Sequence, residues 1–220
     1  MKFIAALLLS VLSGCLHQDT IKQGISPSQL RAVASMTVMI LTEDGQGSGS
    51  IIWSDNGRMF ILTCEHVTRG STEVTIQSPY LGELTGTVLK SSVEEDLAII
   101  FVYAPERHLQ ALPIATEESK LYESLYTLTS PVGVFGTASQ SYLISKNTPL
   151  QLPNRESNTV WTISSGFTLP GSSGGAIVNS LGQLECVLEA GIAPFGPPLE
   201  ELGFCIGLPE IRDFVKGYAL

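Results

Sequence analysis

The chain has 220 residues, of which 44% are apolar and 15% are charged, and its formal net charge is -9. This composition supplies enough apolar residues for a buried core and argues against a disordered chain. The acidic excess disfavours nucleic acid as a partner, because phosphate binding requires clustered Lys and Arg.

The N-terminus has the three parts of an export signal. Lys2 precedes an apolar run from Phe3 to Leu12, and small residues follow this run. The run has about half of the roughly 20 residues that a membrane-spanning helix needs. The sequence therefore predicts a signal peptide rather than a transmembrane anchor.

Residues 12–15, Leu-Ser-Gly-Cys, resemble a bacterial lipobox. The resemblance implies a lipoprotein signal peptide over residues 1–15, a lipidated Cys15 and a tether over residues 16–30. The alternative is an ordinary cleaved signal in which Cys15 has no special role. Leu16 is not the aspartate associated with inner-membrane retention, so we expect the outer membrane, facing the periplasm, if the host is Gram-negative.

From residue 31 onward, short runs rich in Val, Ile and Thr alternate with Gly, Asp, Asn and Ser, which is typical of strands and tight turns. Asn56-Gly57 predicts a two-residue hairpin turn, because these residues tolerate positive φ. Only "PEIRDFVKGY", which begins at Pro209, indicates a helix. A dozen or so strands with one terminal helix predict an all-β fold of two packed β-barrels. We expect barrel 1 over about residues 31–112 and barrel 2 over about 113–220.

Ser172 and Ser173 stand between glycines in an otherwise apolar stretch. Glycines allow a serine hydroxyl and nearby amides to face a ligand, but such clusters also form ordinary turns. A serine nucleophile needs a base, usually histidine, and a carboxylate that orients the base.

Few residues can supply that base and carboxylate. His17 lies beside the predicted lipid site, and His108 lies in a polar stretch typical of a solvated loop. His66 ends an apolar run, where a hydrogen-bonded core histidine is the ordinary alternative. Asp96 precedes an apolar strand, where a carboxylate is costly unless it is paired or faces water.

The cysteines allow one intramolecular disulfide at most if Cys15 carries lipid. Cys186 and Cys205 flank a Gly- and Pro-rich loop on strands expected to lie side by side. We expect proximity, with a disulfide or two core thiols as the alternatives. No CxxC or His/Cys spacing indicates a metal site.

Three motifs, "LTCEHV", "EEDLAII" and "PGSSGGAIVN", resemble those of the trypsin-like (chymotrypsin-fold) serine peptidases, in the order His, Asp, Ser, and most resemble the HtrA-type branch. Their spacing is 30 residues between His66 and Asp96 and 77 between Asp96 and Ser173. The likeness continues in "GSGSII", "SPVGVFGTASQSYLIS", "NSLGQL" and "LGFCIGLPEIRDF". It implies two six-stranded antiparallel β-barrels with a C-terminal helix.

The resemblance also implies the roles of individual residues. Ser173 would be the nucleophile, His66 the general base and then the general acid, and Asp96 the group that orients His66. The backbone N–H groups of Gly171 and Ser173 would form the oxyanion hole. No cofactor or metal is needed for this chemistry.

The pocket for the substrate side chain before the scissile bond would include Phe167, Ala190 and Gly191. No Asp or Glu lies between Trp161 and Ser173, which disfavours a basic substrate side chain. We expect a small or medium apolar residue at that position of the substrate.

The chain departs from the family pattern at two positions. Cys64 replaces a small apolar residue, and we interpret it as a buried structural thiol. Glu189 replaces a small, often polar residue near Asp96. Two close carboxylates disfavour each other's ionised form, unless Glu189 faces solvent. The PDZ domain of many HtrA-type proteins is not expected, since the chain ends at Leu220.

The sequence thus predicts an exported, lipid-anchored serine endopeptidase that acts on polypeptides and is attached to a membrane. One alternative is a catalytically silent module of the same fold that binds a peptide or protein partner. The other is a structural envelope lipoprotein whose Ser-Gly cluster is a turn. The oligomeric state is not indicated.

Overall fold

The computed structural model describes residues 24–107, 109–150, 158–165, 168–192 and 201–218. Cys15 and the rest of the predicted signal peptide, as well as His108 and Phe167, lie outside these residues. No helix within the described ranges is both long and apolar enough to span a bilayer.

The first half of the chain forms a closed antiparallel barrel. Its strands are β1 (Thr37–Leu41), β2 (Gln46–Asp55), β3 (Arg58–Thr63), β4 (Glu73–Ser78), β5 (Gly82–Ser92) and β6 (Leu97–Tyr103). They follow the order β1-β2-β3-β6-β5-β4 around the barrel. Asn56 and Gly57, with φ of 48° and 76°, join β2 to β3 and confirm the predicted hairpin turn.

The second half forms another closed antiparallel barrel. Its strands are β7 (Ser124–Thr129), β8 (Thr137–Leu150), β9 (Asn158–Ser165), β10 (Ala176–Val178), β11 (Leu184–Ile192) and β12 (Glu201–Ile206). They follow the order β7-β8-β9-β12-β11-β10. The two six-stranded barrels confirm the predicted fold class.

Helices occupy both ends of the described chain. Helix α3 (Leu208–Phe214) begins with a proline in its first turn, as the sequence predicts. Between the barrel 1 strands β3 and β4 lies the one-turn helix α2 (Glu65–Thr68), and a 3-10 turn over Pro131–Gly133 follows β7.

Helix α1 (Pro27–Ala34) corrects the expectation of a single terminal helix and a tether that extends to residue 30. Ser26 caps it: its Oγ accepts a hydrogen bond from the Gln29 N–H at 3.3 Å, and Gln29 Oε1 accepts one from the Ser26 N–H at 3.1 Å. Ile25 and Leu30 pack against the buried core. Residues 25–30 are therefore part of the folded domain.

The apolar core has three clusters. One consists of barrel 1 residues, and another is built mainly from barrel 2 residues. The third lies between the barrels and includes Leu62 and Ile99 from barrel 1, Leu128 and Val187 from barrel 2, and Phe214 from α3. Burial of each such side chain stabilises the fold by about 1.5–3 kcal/mol, so this cluster fixes the barrels against each other.

Candidate active site

The loop that carries Ser173 precedes β10 and packs closely against barrel 1. Gly171 and Gly174 have φ of 89° and 84°, which side chains disfavour. A Cβ atom at Gly174 would lie 2.1 Å from the carbonyl oxygen of Ser48 and 2.2 Å from Oγ1 of Thr63. Gly174 is therefore required by both backbone conformation and space, and Gly171 by its backbone conformation.

His66 and Asp96 form a hydrogen-bonded pair at the edge of barrel 1. Nδ1 of His66 lies 2.8 Å from Oδ2 of Asp96, and the backbone N–H of His66 donates to Oδ1 at 2.9 Å. The backbone carbonyl of Asp96 in turn accepts from the N–H of Glu65 at 3.1 Å. Asp96 thus holds α2 through both its side chain and its backbone.

The exposure of the two side chains differs sharply. The Asp96 side chain is 2% exposed, whereas that of His66 is 32% exposed. With Nδ1 engaged by the carboxylate, the other ring nitrogen of His66 is available to a group in the cleft. The pair can therefore exchange a proton with a bound molecule while the carboxylate stays buried.

Ser173 and His66 line one cavity of about 380 Å³. The Ser173 hydroxyl donates to the backbone carbonyl of Glu189 at 3.0 Å. Among the described residues, no hydrogen bond joins Ser173 to His66. The sequence predicts that these side chains share one cleft, and in the structure both line one cavity. The Ser173 proton points to the Glu189 carbonyl and not to His66.

Two backbone amides beside Ser173 are available to a ligand. Within the described ranges, the N–H groups of Gly171 and Ser173 donate no backbone hydrogen bond. The side chain of Gln46, which lines the same cavity, lies against Gly171: its Nε2 would be 2.5 Å from a Cβ atom there. These amides have the character of an anion-binding pair.

Glu189 is buried, with 2% of its surface exposed. It lies at a register shift in β11, between Leu188 and Ala190. The alternative in which Glu189 faces solvent is therefore wrong. Glu189 therefore has a buried side chain, and its backbone carbonyl accepts the hydrogen bond from the Ser173 hydroxyl.

The predicted specificity pocket is described only in part. Ala190 is half-buried and Gly191 is exposed, and both lie on β11. Thr168 lies close to Gly191, since a Cβ atom there would be 2.1 Å from the threonine Oγ1. Phe167, the third predicted member, lies outside the described residues.

Cys64 is buried, and its thiol donates to the carbonyl oxygen of Leu188 at 3.3 Å. Ligand atoms of Cys64, His66 and Asp96 all lie within 4.8 Å of one another, so these three residues could together hold a cation. Sequence spacing did not indicate this group, because Asp96 is 30 residues from His66.

Cys186 and Cys205 form a disulfide between β11 and β12, with their Cα atoms 5.7 Å apart. The predicted proximity is confirmed, and of the two alternatives the disulfide is the one observed.

Ser48 is a site residue that sequence reasoning did not single out. It contacts the carbonyl groups of both Gly171 and Ser173. The available signal was its position between glycines in "GSGSII", the same setting that marks Ser173.

Comparison with known proteins gives consistent matches. A family model described as a trypsin-like peptidase domain matches residues 47–185. A serine protease HtrA-like of Staphylococcus haemolyticus is 25% identical over 178 residues, which cover 77% of this chain and 28% of that protein. Its Staphylococcus aureus counterpart is 25% identical over 183 residues, covering 80% and 24%. The chain spans about a quarter of the length of these curated relatives.

Solved structures share the two-barrel fold. Rv3671c from M. tuberculosis H37Rv, in an inactive form, is 22% identical with a TM-score of 0.70, covering 88% of this chain and 94% of that chain. The active form of the Rv3671c protease from M. tuberculosis is 23% identical with the same TM-score of 0.70, covering 88% and 87%.

Proposed function

The chain belongs to the family of trypsin-like peptidase domains, and on this basis we propose that it is a serine endopeptidase with Ser173 as its nucleophile. The observation that carries the proposal is that His66, which is hydrogen-bonded to the buried Asp96, lines one cavity with Ser173. The substrate class is a polypeptide, as the names of the HtrA-like relatives suggest.

In the proposed reaction, Ser173 Oγ attacks the carbonyl carbon of a peptide bond. His66 takes the serine proton and then gives it to the leaving amine, which leaves an acyl-enzyme. A water molecule, deprotonated by His66, attacks the acyl carbon and releases Ser173. Asp96 holds the ring in the required tautomer and stabilises the imidazolium. No cofactor takes part.

The negative charge that develops on the carbonyl oxygen would be bound by the N–H groups of Gly171 and Ser173. Such a pair acts strongly because its donors are already oriented before the charge appears. Loss of one donor in sites of this kind lowers kcat by about 10²- to 10³-fold.

The serine hydroxyl must turn from the Glu189 carbonyl toward His66 before it can react. A change between staggered side-chain rotamers accomplishes this turn without movement of the backbone. The resting hydrogen bond to Glu189 is the one observation that favours the second candidate function, a silent module of the same fold that binds peptides.

Labelling with a fluorophosphonate probe separates the two candidates. Ser173 Oγ bonds to phosphorus, fluoride leaves, and the serine proton passes to His66. We expect the wild-type domain to be labelled at Ser173 and Ser173→Ala to remain unlabelled. Ser172→Ala is the matched control and should be labelled nearly as fast, because the Ser172 hydroxyl has no hydrogen-bond partner among the described residues.

The outcome that contradicts the proposal is a folded wild-type domain that remains unlabelled after hours with excess probe. Such a result would favour the binding module. For any substrate found, loss of the nucleophile should lower kcat by on the order of 10⁶-fold.

We also propose that the protein is exported and anchored through lipid on Cys15. The lipobox-like residues 12–15 support the anchor, and the disulfide between Cys186 and Cys205 is typical of an oxidising compartment. Intact-mass analysis of protein from its native envelope tests this part separately. An unmodified N-terminus at another residue would remove the anchor and leave the peptidase proposal unaffected.

For specificity, we propose a small or medium apolar residue before the scissile bond. Support comes from the absence of acidic residues between Trp161 and Ser173 and from the small Ala190 and Gly191 on β11. A peptide library profiled by cleavage position tests it, and cleavage mainly after Arg or Lys would contradict it.

A further inference from the structure

Ser48 joins barrel 1 to the loop that carries the proposed nucleophile. It lies on β2 and has 0% of its surface exposed. Its backbone N–H donates to the carbonyl of Ser173 at 2.7 Å, and its Oγ donates to the carbonyl of Gly171 at 2.7 Å. One buried residue therefore binds the carbonyl groups of both residues whose amides are the proposed oxyanion donors.

The hydroxyl of Ser48 has its direction fixed by a second partner. The backbone N–H of Ser130, at the end of β7, donates to Ser48 Oγ at 2.8 Å. Since that N–H can only donate, the proton of Ser48 Oγ is left for the Gly171 carbonyl. The hydroxyl thus links two segments of barrel 2 through barrel 1.

Ser48 also contacts the strand that leads to His66. Its carbonyl accepts a hydrogen bond from Thr63 Oγ1 at 2.7 Å. Thr63 ends β3, and the one-turn helix with His66 follows. Ser48 therefore contacts both the Ser173 loop and the end of the strand that precedes His66, and the second contact uses only its backbone carbonyl.

The position of the Gly171 carbonyl matters because it belongs to the planar peptide group between Gly171 and Ser172, which lies between the two proposed oxyanion donors along the chain. With φ of 89°, Gly171 can adopt several backbone conformations, and a rotation of this peptide group would turn the Gly171 carbonyl oxygen and the Ser172 N–H together. Such a rotation changes the relative direction of the Gly171 and Ser173 amides on either side of it. A carbonyl turned into the cavity would place a partial negative charge where the oxyanion has to bind. The hydrogen bond from Ser48 Oγ to this carbonyl opposes the rotation, in addition to the one from the Ser172 N–H to the Leu169 carbonyl at 2.9 Å.

We infer that Ser48 is a positioning residue that keeps the amides of Gly171 and Ser173 in the relative orientation that the proposed oxyanion site requires. The inference rests on the proposed function, because these amides bind an oxyanion only in the proposed reaction. It concerns the side chain hydroxyl of Ser48, since the backbone N–H remains in any substitution.

Ser50 provides a matched control on the same strand. It is 2% exposed, and its hydroxyl has no hydrogen-bond partner among the described residues. Ser48→Ala and Ser50→Ala remove the same atom from the same strand at similar burial. Only the first removes hydrogen bonds to the loop.

The experiment compares the rate of fluorophosphonate labelling in wild type, Ser48→Ala and Ser50→Ala across pH, at a temperature where all three are folded. We expect Ser48→Ala to label at least about tenfold more slowly and Ser50→Ala to label as the wild type does. The pH at which the labelling rate is half-maximal should be the same in all three proteins, because the pair of His66 and Asp96 is intact. A general loss of structure would change this half-maximal pH as well as the maximal labelling rate.

A second measurement does not depend on activity. In amide NMR, Ser48→Ala should speed hydrogen exchange at the Ser130 N–H, which loses its acceptor, and should shift or broaden the amide signals of Gly171 and Ser173. Ser50→Ala should leave all three signals unchanged.

The two measurements separate the possible failures. An unlabelled wild type whose Gly171 and Ser173 signals respond only to Ser48→Ala would contradict the peptidase proposal and support the positioning role. A labelled wild type with equal rates in both variants would overturn the role of Ser48. Gly171 and Ser173 signals that are unmoved by Ser48→Ala would also overturn it, whether or not the wild type is labelled.

Discussion

The two parts of the candidate site are held in different ways. His66 and Asp96 both belong to barrel 1, and the hydrogen bonds that join Asp96 to His66 and Glu65 stay within that barrel. The Ser173 loop belongs to barrel 2, yet Ser48 of barrel 1 binds its carbonyl groups. The acid–base pair therefore needs one barrel, whereas the nucleophile loop needs both.

The largest effect on labelling and turnover is expected from Asp96→Asn, which alters the acid–base pair in barrel 1. An amide at this position favours the wrong tautomer of His66, so labelling at Ser173 and substrate turnover should fall by about 10⁴-fold. The amide signals of Gly171 and Ser130 should not change, because the hydrogen bonds that join Asp96 to His66 and Glu65 lie within barrel 1. Movement of those signals would show that the two parts are not held independently.

Next in size is the effect of Gly174→Ala on stability. A Cβ atom there meets the Ser48 carbonyl at 2.1 Å, whereas Gly70, with φ of 72°, has no atom within 4 Å of such a Cβ. Gly70→Ala should cost about 1–2 kcal/mol through its backbone conformation alone. Gly174→Ala should cost about 1–3 kcal/mol more than that, because the loop is forced away from barrel 1. Urea unfolding of both variants measures the difference, and equal costs would contradict the close packing.

A smaller effect is expected from Glu189→Ser. Glu189 is buried and follows Leu188, whose carbonyl binds the Cys64 thiol beside Asp96. The Glu189 carbonyl binds Ser173 Oγ, so a negative charge on this residue opposes the negative charge that develops at the proposed oxyanion, and its removal should speed labelling by a few-fold. Glu189→Gln, which keeps the size and removes the charge, should reproduce the gain. Slower labelling in both variants would mean that Glu189 supports the site.

The smallest effect is expected from Ser172→Ala. The Ser172 hydroxyl is buried without a hydrogen-bond partner in the described part of the chain. Removal of an unsatisfied buried hydroxyl should leave the free energy of unfolding unchanged or raise it by about 1 kcal/mol. Thermal unfolding measures this, and a clear loss of stability would show that the hydroxyl has a partner in solution.

Features encoded by neighbouring residues could be predicted from the sequence. The hairpin turn at Asn56 and Gly57 depends on the backbone preferences of two residues, and the barrel strands depend on short apolar runs. Helix α1 has a local signal too, the capping box formed by Ser26 and Gln29, but its short polar sequence resembles a tether.

Contacts between distant residues that no motif marks could not be predicted. The partners of the Ser48 hydroxyl lie 123 and 82 residues away along the chain. The burial of Glu189 depends on β11 being covered on both faces, since every residue from Leu184 to Glu189 is buried and no alternation marks an outer face. Alternating patterns reveal a face only where one side of a strand meets water.

The position of Ser48 between the barrels has a consequence for when activity first arises. If barrel 1 folds while barrel 2 is still incomplete, His66 and Asp96 can pair, but no loop is present for Ser48 to hold. A copy in which the barrels have separated loses the anchor of Gly171 in the same way. Under the proposed function, full hydrolytic competence would then report complete tertiary assembly, and immature or partly unfolded copies would cleave their neighbours more slowly than folded ones.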